Sequence, residues 1–367
     1  MALSKQKYHQ VGTPRVYCDV VQYLKAIGKH HRRTSAWEGS DNLHENDIGS
    51  QGWDMNPVRQ RIGIVGTPPG GWLREYKQFA EIFEGWTVVE QLSNDFKKLL
   101  NGVTYYGILG HNLSSLSDDG DFIVDISCYG VAPNQSTTTL IGDGYDGTYL
   151  ATINEPLAEA DSPHYGKGFT FQFNVNGDPT GKMMELGAMT IGYHYDFPHS
   201  PNMNVSISYG FDGISRQRTL GGADLTQINY LKPSWGRFEP FSNTLASDSQ
   251  DFTDVSPKGR RIIDMSFNYI DKTDMFPKNM HQNTFGQDNY SDADGSYSYF
   301  DYDGGNHNPN ILGNFLNLTL GGNLTHILQL DSEAHDFIMV KLDGKATKIT
   351  QVANGVYDVK FRWIEVW

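Results

Sequence analysis

The sequence predicts an all-β protein, and its composition and patterning both support that fold class. The 367-residue chain contains 39 glycines, 20 tyrosines and 19 phenylalanines, and aromatic residues favour strands. Apolar and polar residues alternate in several short segments, and Asn, Ser, Thr and Asp crowd the stretches between them. A period of two is typical of a half-buried strand. We therefore expect sandwiches or barrels with turn-rich connections.

The N-terminal part, residues 1–95, is predicted to be an arm with one short helix. Apolar residues recur at helical spacing over residues 17–27, and Gly28 follows where a helix stop is expected. From there to about residue 58 the sequence is polar and irregular. Loops of this length are uncommon inside a compact domain, so we expect the arm to gain its order on a neighbouring subunit.

Residues 96–215 are predicted to form a β-sandwich, with a strand pattern shared by galactose-binding-like and jelly-roll sandwiches. Glycine, asparagine and aspartate turns separate short apolar segments there. The predicted strands cover residues 103–109, 122–129, 137–141, 169–175, 189–194 and 205–209.

Residues 216–367 are predicted to form a second, C-terminal β domain. Its predicted strands cover residues 261–270, 315–320, 325–330, 337–342 and 357–367. Between the first two lies an insertion, residues 274–309, that is rich in Asn, Asp, Gly and Tyr. We expect this insertion to be a long surface loop that serves as a contact element.

The clearest strand is the one at the C-terminal end. Apolar Tyr357, Val359, Phe361 and Trp363 alternate with polar residues there, and apolar residues continue to Trp367. This pattern predicts a strand that is held in a sheet. Its large apolar side chains must be covered either by the chain's own core or by another subunit.

Charge and cysteine content exclude several classes of protein. The net charge of −14 argues against a nucleic-acid-binding surface, which needs clustered Lys and Arg. Cys18 and Cys128 are too few for a disulfide framework or a zinc site, so we expect two buried free thiols. The first residues lack an apolar signal core, and no apolar run is long enough for a membrane span. We therefore expect synthesis and folding in a cytosol.

The insertion contains a candidate calcium site at Asp292, Asp294 and Asp301. Calcium prefers several carboxylates on a flexible loop that contains glycine, as around Gly295. The spacing does not fit an EF-hand, because Tyr290 stands where the first aspartate should be. A non-standard calcium loop and a solvated acidic loop both remain compatible with the sequence.

Aromatic residues of the insertion suggest recognition of a protein or a sugar. Tyr297, Tyr299, Phe300 and Tyr302 stand among glycine and short polar residues, a composition suited to binding surfaces. The alternative is a small cluster that folds back under the loop. Together with Trp363 and Trp367, these four residues are the predicted interface residues.

Catalytic motifs do not support an enzyme. The sequence has no Gly-x-Ser-x-Gly elbow and no His-Glu-x-x-His zinc helix. His111 follows an apolar strand and precedes a turn, so we expect its imidazole to donate to a loop carbonyl and fix that turn. We predict a protein that is not an enzyme and needs no cofactor. A carboxylate pair for glycan cleavage is a third alternative that sequence alone does not test.

Several segments resemble virion structural proteins of tailed phages, notably those of marine and cyanobacterial phages. The resemblance lies in residues 14–28, 105–113, 192–201 and 260–267, with Leu320-Gly-Gly322 and the terminal Ile364-Glu-Val-Trp367 downstream. The last module is also similar to the closing strands of distal tail and baseplate hub proteins. The sequence departs from that pattern at residues 323–331 and in the insertion.

This resemblance implies a structural protein of the virion with no catalytic residues. It implies a split-barrel-like C-terminal domain that forms a homo-oligomeric ring, as a distal tail or baseplate adaptor between the tail tube and the tip or fibres. The partners would be other tail proteins, with assembly in the host cytoplasm and a final location in the virion. The main alternative is a carbohydrate-binding receptor or fibre module that recognises a host-surface glycan.

Overall fold

A computed structural model describes most of the predicted strands and the C-terminal end. The described residues are 11–26, 37–38, 60–63, 72–78, 103–129, 137–143, 147–153, 168–176, 183–186, 188–210, 214–228, 260–276, 302–303, 306–307, 310–334, 337–344 and 347–366. The chain is mostly β, as predicted, and the strand pairs described are all antiparallel.

The largest element is a ten-stranded sheet that draws strands from the whole length of the chain. Nine strands follow the order β12-β15-β21-β19-β18-β1-β11-β5-β8, and β20 pairs with β21 beside that path. They are β1 (Arg15–Asp19), β5 (Tyr105–His111), β8 (Gly147–Thr152), β11 (Ala188–Asp196), β12 (Ser206–Gly210), β15 (Arg260–Asp271), β18 (His326–Gln329), β19 (Phe337–Leu342), β20 (Ile349–Ala353) and β21 (Val356–Glu365).

A second sheet has five strands, and three smaller ribbons have two strands each. The five-stranded sheet has the order β2-β4-β9-β6-β7, and the ribbons pair β3 with β10, β13 with β14 and β16 with β17. They are β2 (Trp37–Glu38), β3 (Gln60–Gly63), β4 (Trp72–Gln78), β6 (Asp121–Tyr129), β7 (Thr137–Asp143), β9 (Gly168–Val175), β10 (Met183–Leu186), β13 (Ile214–Arg218), β14 (Asp224–Ile228), β16 (Tyr302–Asp303) and β17 (Asn306–His307).

The two larger sheets meet through an aromatic contact at Phe122. This β6 residue is 1% exposed. Its ring centroid lies 5.0 Å from that of His111 and 5.2 Å from that of Tyr149, which both belong to the ten-stranded sheet. Edge-to-face rings at this separation attract each other, and the contact joins the two sheets into one hydrophobic core.

The three predicted divisions of the chain share the ten-stranded sheet. Residues 1–95 supply β1, residues 96–215 supply β5, β8, β11 and β12, and residues 216–367 supply the other five strands. The division points after residues 95 and 215 therefore do not separate one sheet from another.

The helix predicted over residues 17–27 begins three residues later than expected. Residues 15–19 form β1, which pairs with β11 on one side and β18 on the other, and helix α1 covers Val20–Ala26. Buried Asp19 accepts a hydrogen bond at 2.9 Å from the backbone N–H of Gln22. The prediction failed at Tyr17 because the chain pairs with two strands there, and such pairing outweighs local helical spacing.

The close approach of β1 and β11 requires glycine at position 192. Gly192 faces Asp19 across the pair, and a β-carbon there would clash with the carbonyl oxygen of Cys18. A side chain at this position would therefore force the two strands apart.

The strand predicted over residues 315–320 is wrong, because a π-helix at Ile311–Asn317 occupies its first three residues and a turn follows. Asn310 caps the π-helix by accepting a hydrogen bond at 2.6 Å from the N–H of Gly313. Phe315 and Leu316 are buried against the sheet. A short apolar run does not distinguish a buried helix from a strand by periodicity alone. Two further short helices are α2 (Leu113–Leu116) and α3 (Lys272–Met275).

A tight turn returns the chain from the π-helix to the sheet. Leu320, Gly321 and Gly322 all have positive φ, at 51°, 71° and 83°. The N–H of Gly322 donates to Thr319 Oγ1 at 2.9 Å, and its carbonyl accepts from the N–H of Leu342 at 2.9 Å. The Gly-Gly pair therefore brings the turn onto the end of β19.

The C-terminal strand lies inside the sheet, as predicted. β15 pairs along one edge of β21, whereas β20 and β19 share the other edge, at residues 356–359 and 363–365 respectively. Val359, Phe361 and Trp363 are at most 3% exposed. Their cover comes from the chain's own core, including Phe315 of the π-helix.

Candidate assembly surface

Most of the predicted site residues lie outside the described part of the chain. These are Tyr297, Tyr299, Phe300 and Trp367 among the interface residues, and Asp292, Asp294 and Asp301 of the candidate calcium loop. Tyr302 begins β16, which pairs with β17. The calcium site and the aromatic surface therefore stay predictions.

The base of the insertion is attached to the core. Asp271 caps helix α3 by accepting a hydrogen bond from the N–H of Thr273 at 2.8 Å. Met275 is completely buried, and the ring of Phe276 lies 5.0 Å from that of Tyr357 on β21. The insertion thus leaves the body from a fixed point beside the C-terminal strand.

Trp363 lies in the core of this chain, where it has 0% exposure. Its ring packs against Phe361, Phe197 and Phe315, with centroid distances of 5.1, 6.3 and 6.4 Å. Its indole N–H donates a hydrogen bond at 3.2 Å to Nε2 of His326. The structure therefore gives Trp363 a core position, away from any surface that a second copy could contact.

The hydrogen bonds of His326 determine its tautomer. Nε2 accepts from Trp363, so Nδ1 carries the proton and donates to the carbonyl of Leu324 at 2.9 Å. Burial lowers the pKa of His326 to about 4. A neutral imidazole is what the indole donor needs, because a protonated ring has no acceptor.

A buried ion pair joins β15 and β21, the two longest described strands, near the start of β15 and at the end of β21. Arg261 of β15 and Glu365 of β21 are 2% and 6% exposed. Arg261 donates to the Glu365 carboxylate from its backbone N–H at 2.8 Å, and from Nε and Nη2 at 3.2 Å each. A buried charge pair is tolerated when such hydrogen bonds satisfy it. This pair ties the C-terminal strand to β15.

His111 has a structural position, although its hydrogen bond differs from the one predicted. Nδ1 accepts from the N–H of Leu113 at 3.3 Å, at the start of α2, instead of donating to a loop carbonyl. Burial lowers the pKa of His111 to about 3. The imidazole is therefore neutral and fixes the turn as an acceptor.

The described residues contain no candidate metal centre, since no three of their His, Cys, Asp and Glu side chains cluster suitably. Burial raises the pKa of the Cys18 thiol far above its usual value, so this thiol is unreactive. In the same part of the chain, no helix is long and apolar enough to cross a membrane.

One exposed region of the described structure begins at the β12 end of the ten-stranded sheet. β12 is the last strand in the order, and Tyr209 on it is 46% exposed. Residues 211–213 separate β12 from β13, which forms a hairpin with β14. We call β13, β14 and their connection the 214–228 hairpin.

The 214–228 hairpin is well formed but contributes little to the core. Five residue pairs run from Ile214 opposite Ile228 to Arg218 opposite Asp224. The turn is closed by the N–H of Thr219 donating to the carbonyl of Ala223 at 2.8 Å. Every residue from 216 to 226 is exposed. Among the described strands, β13 and β14 pair only with each other.

Sequence reasoning missed this hairpin, although a signal for it was present. Gly221 and Gly222 stand between two polar five-residue segments, and a glycine pair between potential strands is a hairpin signal. The segments carry few apolar residues, so their alternation is weak. An exposed ribbon needs no apolar face, so its strands show little alternation of apolar and polar residues.

A strained, exposed tyrosine marks a second surface feature. The pairing of β15 with β21 shifts register between Phe267 and Ile270, and Tyr269 lies in that bulge with φ of 62° and 79% exposure. Its N–H donates to Asp358 Oδ1 at 3.1 Å. An aromatic residue with positive φ is uncommon, and such strain tends to occur at functional sites.

Comparisons with known proteins identify no relative: no family model, no curated protein and no solved structure matches this chain. The arrangement of the described residues therefore has to be interpreted from its own chemistry. It combines a rigid sheet with buried polar pairs, an exposed hairpin and an exposed aromatic bulge.

Proposed function

We propose that the protein is a structural component of a phage virion, most specifically a tail ring protein that joins the tail tube to the tip or fibres. The observation that carries the proposal is the contrast within the ten-stranded sheet, whose C-terminal strand is locked in the core while its β12 end continues into an exposed hairpin. A rigid body with a projecting strand pair suits a protein that joins copies through strand addition. The segments that resemble tail proteins support the same assignment.

The finer architecture belongs to this proposal. Residues 96–215 contribute sandwich-like layers through the contact of Phe122 with His111 and Tyr149. The strands β15 and β18–β21 supply the split-barrel-like part, with the split between β19 and β20 on one edge of β21. The partners are further copies of this chain and other tail proteins, and the location is the virion.

Electron microscopy of labelled virions tests the proposal. Antibodies raised against the purified protein, or a peptide tag on it, should place gold label at the tail tip or baseplate. Label on the capsid would contradict the tail assignment, and absence of the protein from purified virions would contradict the virion assignment. Virions from a phage without the tag serve as the control.

A carbohydrate-binding receptor module is the second candidate, and Tyr269 is the observation that favours it. An exposed aromatic ring beside polar groups can stack on a sugar, and Tyr269 combines high exposure with a strained, positive φ. A glycan array with purified protein should then show selective binding that Tyr269→Ala removes. Tyr209→Ala, at another exposed tyrosine, is the matched control. Binding that is absent, or unchanged in Tyr269→Ala, would contradict this function.

A further inference from the structure

The turn between β20 and β21 presents an asparagine–glycine pair at the surface. Ala353 and Val356 pair across this turn, with Asn354 and Gly355 between them. Asn354 is exposed. Gly355 has φ of 73°, and no atom lies within 4 Å of the place where a β-carbon would stand. The turn therefore leaves room around both residues for a change in the conformation of the asparagine side chain.

An asparagine followed by glycine can lose its side-chain amide without an enzyme. The backbone nitrogen of the glycine bonds to Cγ of the asparagine, and the bond from Cγ to the amide nitrogen breaks. The amide nitrogen leaves as ammonia with the proton of the attacking N–H, and a cyclic succinimide remains. Water then opens the ring at either carbonyl, which gives aspartate or isoaspartate. Glycine favours this reaction because it has no side chain and its backbone is permissive, and asparagine is a thermolabile residue.

The two reacting groups at Asn354 and Gly355 are both free. Among the described residues, neither the side chain of Asn354 nor the N–H of Gly355 takes part in a hydrogen bond. The carbonyl of Gly355 accepts from the N–H of Lys272 at 2.8 Å, which holds the turn on helix α3 and does not involve the attacking nitrogen. The ring can therefore form without first breaking a hydrogen bond of either reacting group.

Asn176 begins the same dipeptide in the sequence, but its side chain is held. Its amide N–H donates to Asp119 Oδ2 at 2.6 Å, and its backbone carbonyl accepts from the N–H of Asp118 at 3.0 Å. Hydrogen bonds to a carboxylate are stronger than those between neutral groups. Ring formation at Asn176 therefore has to break the bond to Asp119 first.

Asn323 shows that exposure alone does not make such a site. It is exposed, but its side-chain amide donates to the carbonyl of Leu320 at 2.6 Å. The nitrogen that would attack belongs to Leu324, and its N–H donates to the carbonyl of Thr319 at 2.9 Å. Both reacting groups are thus occupied at Asn323.

We propose that Asn354 is a site of spontaneous deamidation in the folded protein, with aspartate and isoaspartate as products. Each event adds one negative charge to the net charge of −14, which becomes −15. Isoaspartate also lengthens the main chain between β20 and β21, beside the contact of Gly355 with Lys272. The reaction consumes only water and does not depend on the proposed function.

Peptide mapping by mass spectrometry tests the proposal on the full chain, kept folded at pH 8, where loss of the attacking proton is favoured. Asn354 should convert, and Asn176 should convert about tenfold more slowly or less, because its hydrogen bond to a charged group must break. The same incubation in urea removes the structure, so the two asparagine–glycine pairs should then react at similar rates. An intact Asn354 in the folded chain, or equal rates at the two sites there, would overturn the proposal.

Asp119→Ala tests whether the structure is what separates the two sites. Release of the Asn176 side chain should raise the rate at Asn176 about tenfold and leave the rate at Asn354 within about twofold. Asn354→Asp supplies the reference peptide for the aspartate product, and circular dichroism melting shows that each variant is folded. An unchanged rate at Asn176 in folded Asp119→Ala would overturn the claim that free reacting groups determine the site.

Discussion

The C-terminal strand β21 and the strands of the 214–228 hairpin all pair antiparallel with their neighbours, yet their burial is opposite. In β21, Val359, Phe361 and Trp363 are at most 3% exposed, and an ion pair at Glu365 closes the end. In the hairpin every residue from 216 to 226 is exposed. Burial provides most of the free energy of folding. The stability of the molecule therefore lies in β21 and its neighbours, while the hairpin is available for contacts.

Trp363→Ala should have the largest effect on stability. The substitution removes a completely buried ring and leaves Nε2 of His326 without its indole donor. Large-to-small changes of this kind cost about 3–5 kcal/mol, and a buried acceptor without a donor adds to the cost. Urea unfolding followed by circular dichroism measures the loss. A loss below about 1 kcal/mol would show that β21 does not carry the core.

Glu365→Gln should have the second largest effect on stability, because it leaves the Arg261 guanidinium buried without a counter-charge. Breaking a buried ion pair at one partner costs about 3 kcal/mol or more. The double variant Arg261→Met/Glu365→Leu should recover much of that loss, since it buries no charge. Arg362→Gln breaks the exposed pair with Asp343 and should cost less than about 1 kcal/mol. Equal losses for Glu365→Gln and Arg362→Gln would contradict the role of burial.

Gly322→Ala should destabilise the turn that follows the π-helix by about 2 kcal/mol. Gly322 has φ of 83°, and a β-carbon there would clash with the Leu342 side chain. Gly355 is a matched control with φ of 73° and no atom within 4 Å of the same position. Gly355→Ala should cost about 1 kcal/mol, so the difference measures the contact with Leu342. Equal costs in thermal or urea unfolding would show that this contact is unimportant.

Stability should fall as the pH is lowered from about 6.5 towards 4. Burial lowers the pKa of His326 to about 4 and that of His111 to about 3, from an ordinary value of 6.5. In this window the unfolded chain binds protons that the folded chain does not. The free energy of unfolding therefore drops by up to about 1.4 kcal/mol per pH unit for each histidine. Above the window both states are neutral, and the histidines contribute no slope.

Urea unfolding at pH 7, 6 and 5 measures this slope. His326→Gln should reduce the slope by up to about 1.4 kcal/mol per pH unit, the contribution of one histidine. The substitution lowers stability at each pH, but the comparison concerns the slope alone. A slope that is unchanged in His326→Gln would show that the pKa of His326 is not lowered in the folded protein.

Leu220→Ser should have the smallest effect, within about 0.5 kcal/mol, because Leu220 is fully exposed at the tip of the hairpin. The measurement is the same urea unfolding, at a protein concentration where the chain is monomeric. A loss comparable to that of Trp363→Ala would show that the hairpin packs on the body and would remove the contrast between the two regions.

Sequence reasoning located strands with an apolar period of two and also short continuous apolar runs such as β18, whose four residues are all buried. The pattern in residues 357–363 was read correctly because Val359, Phe361 and Trp363 all face the core. Strand β8 and strand β20 were not predicted, since β20 is largely exposed and offers little alternation. The segment 315–320 was misassigned because a short apolar run fits a strand and a helix equally well.

The sequence by itself determined that the chain is rich in β-strands and that its C-terminal end is held in a sheet. Both conclusions follow from alternation, which is a local property of the chain. The tertiary structure decided that all three predicted divisions share one sheet, that Trp363 lies in the core beside His326, and that the 214–228 hairpin stands exposed. The reason is that strand partners, burial on both faces and ion pairs such as Arg261 with Glu365 depend on residues far apart in the chain.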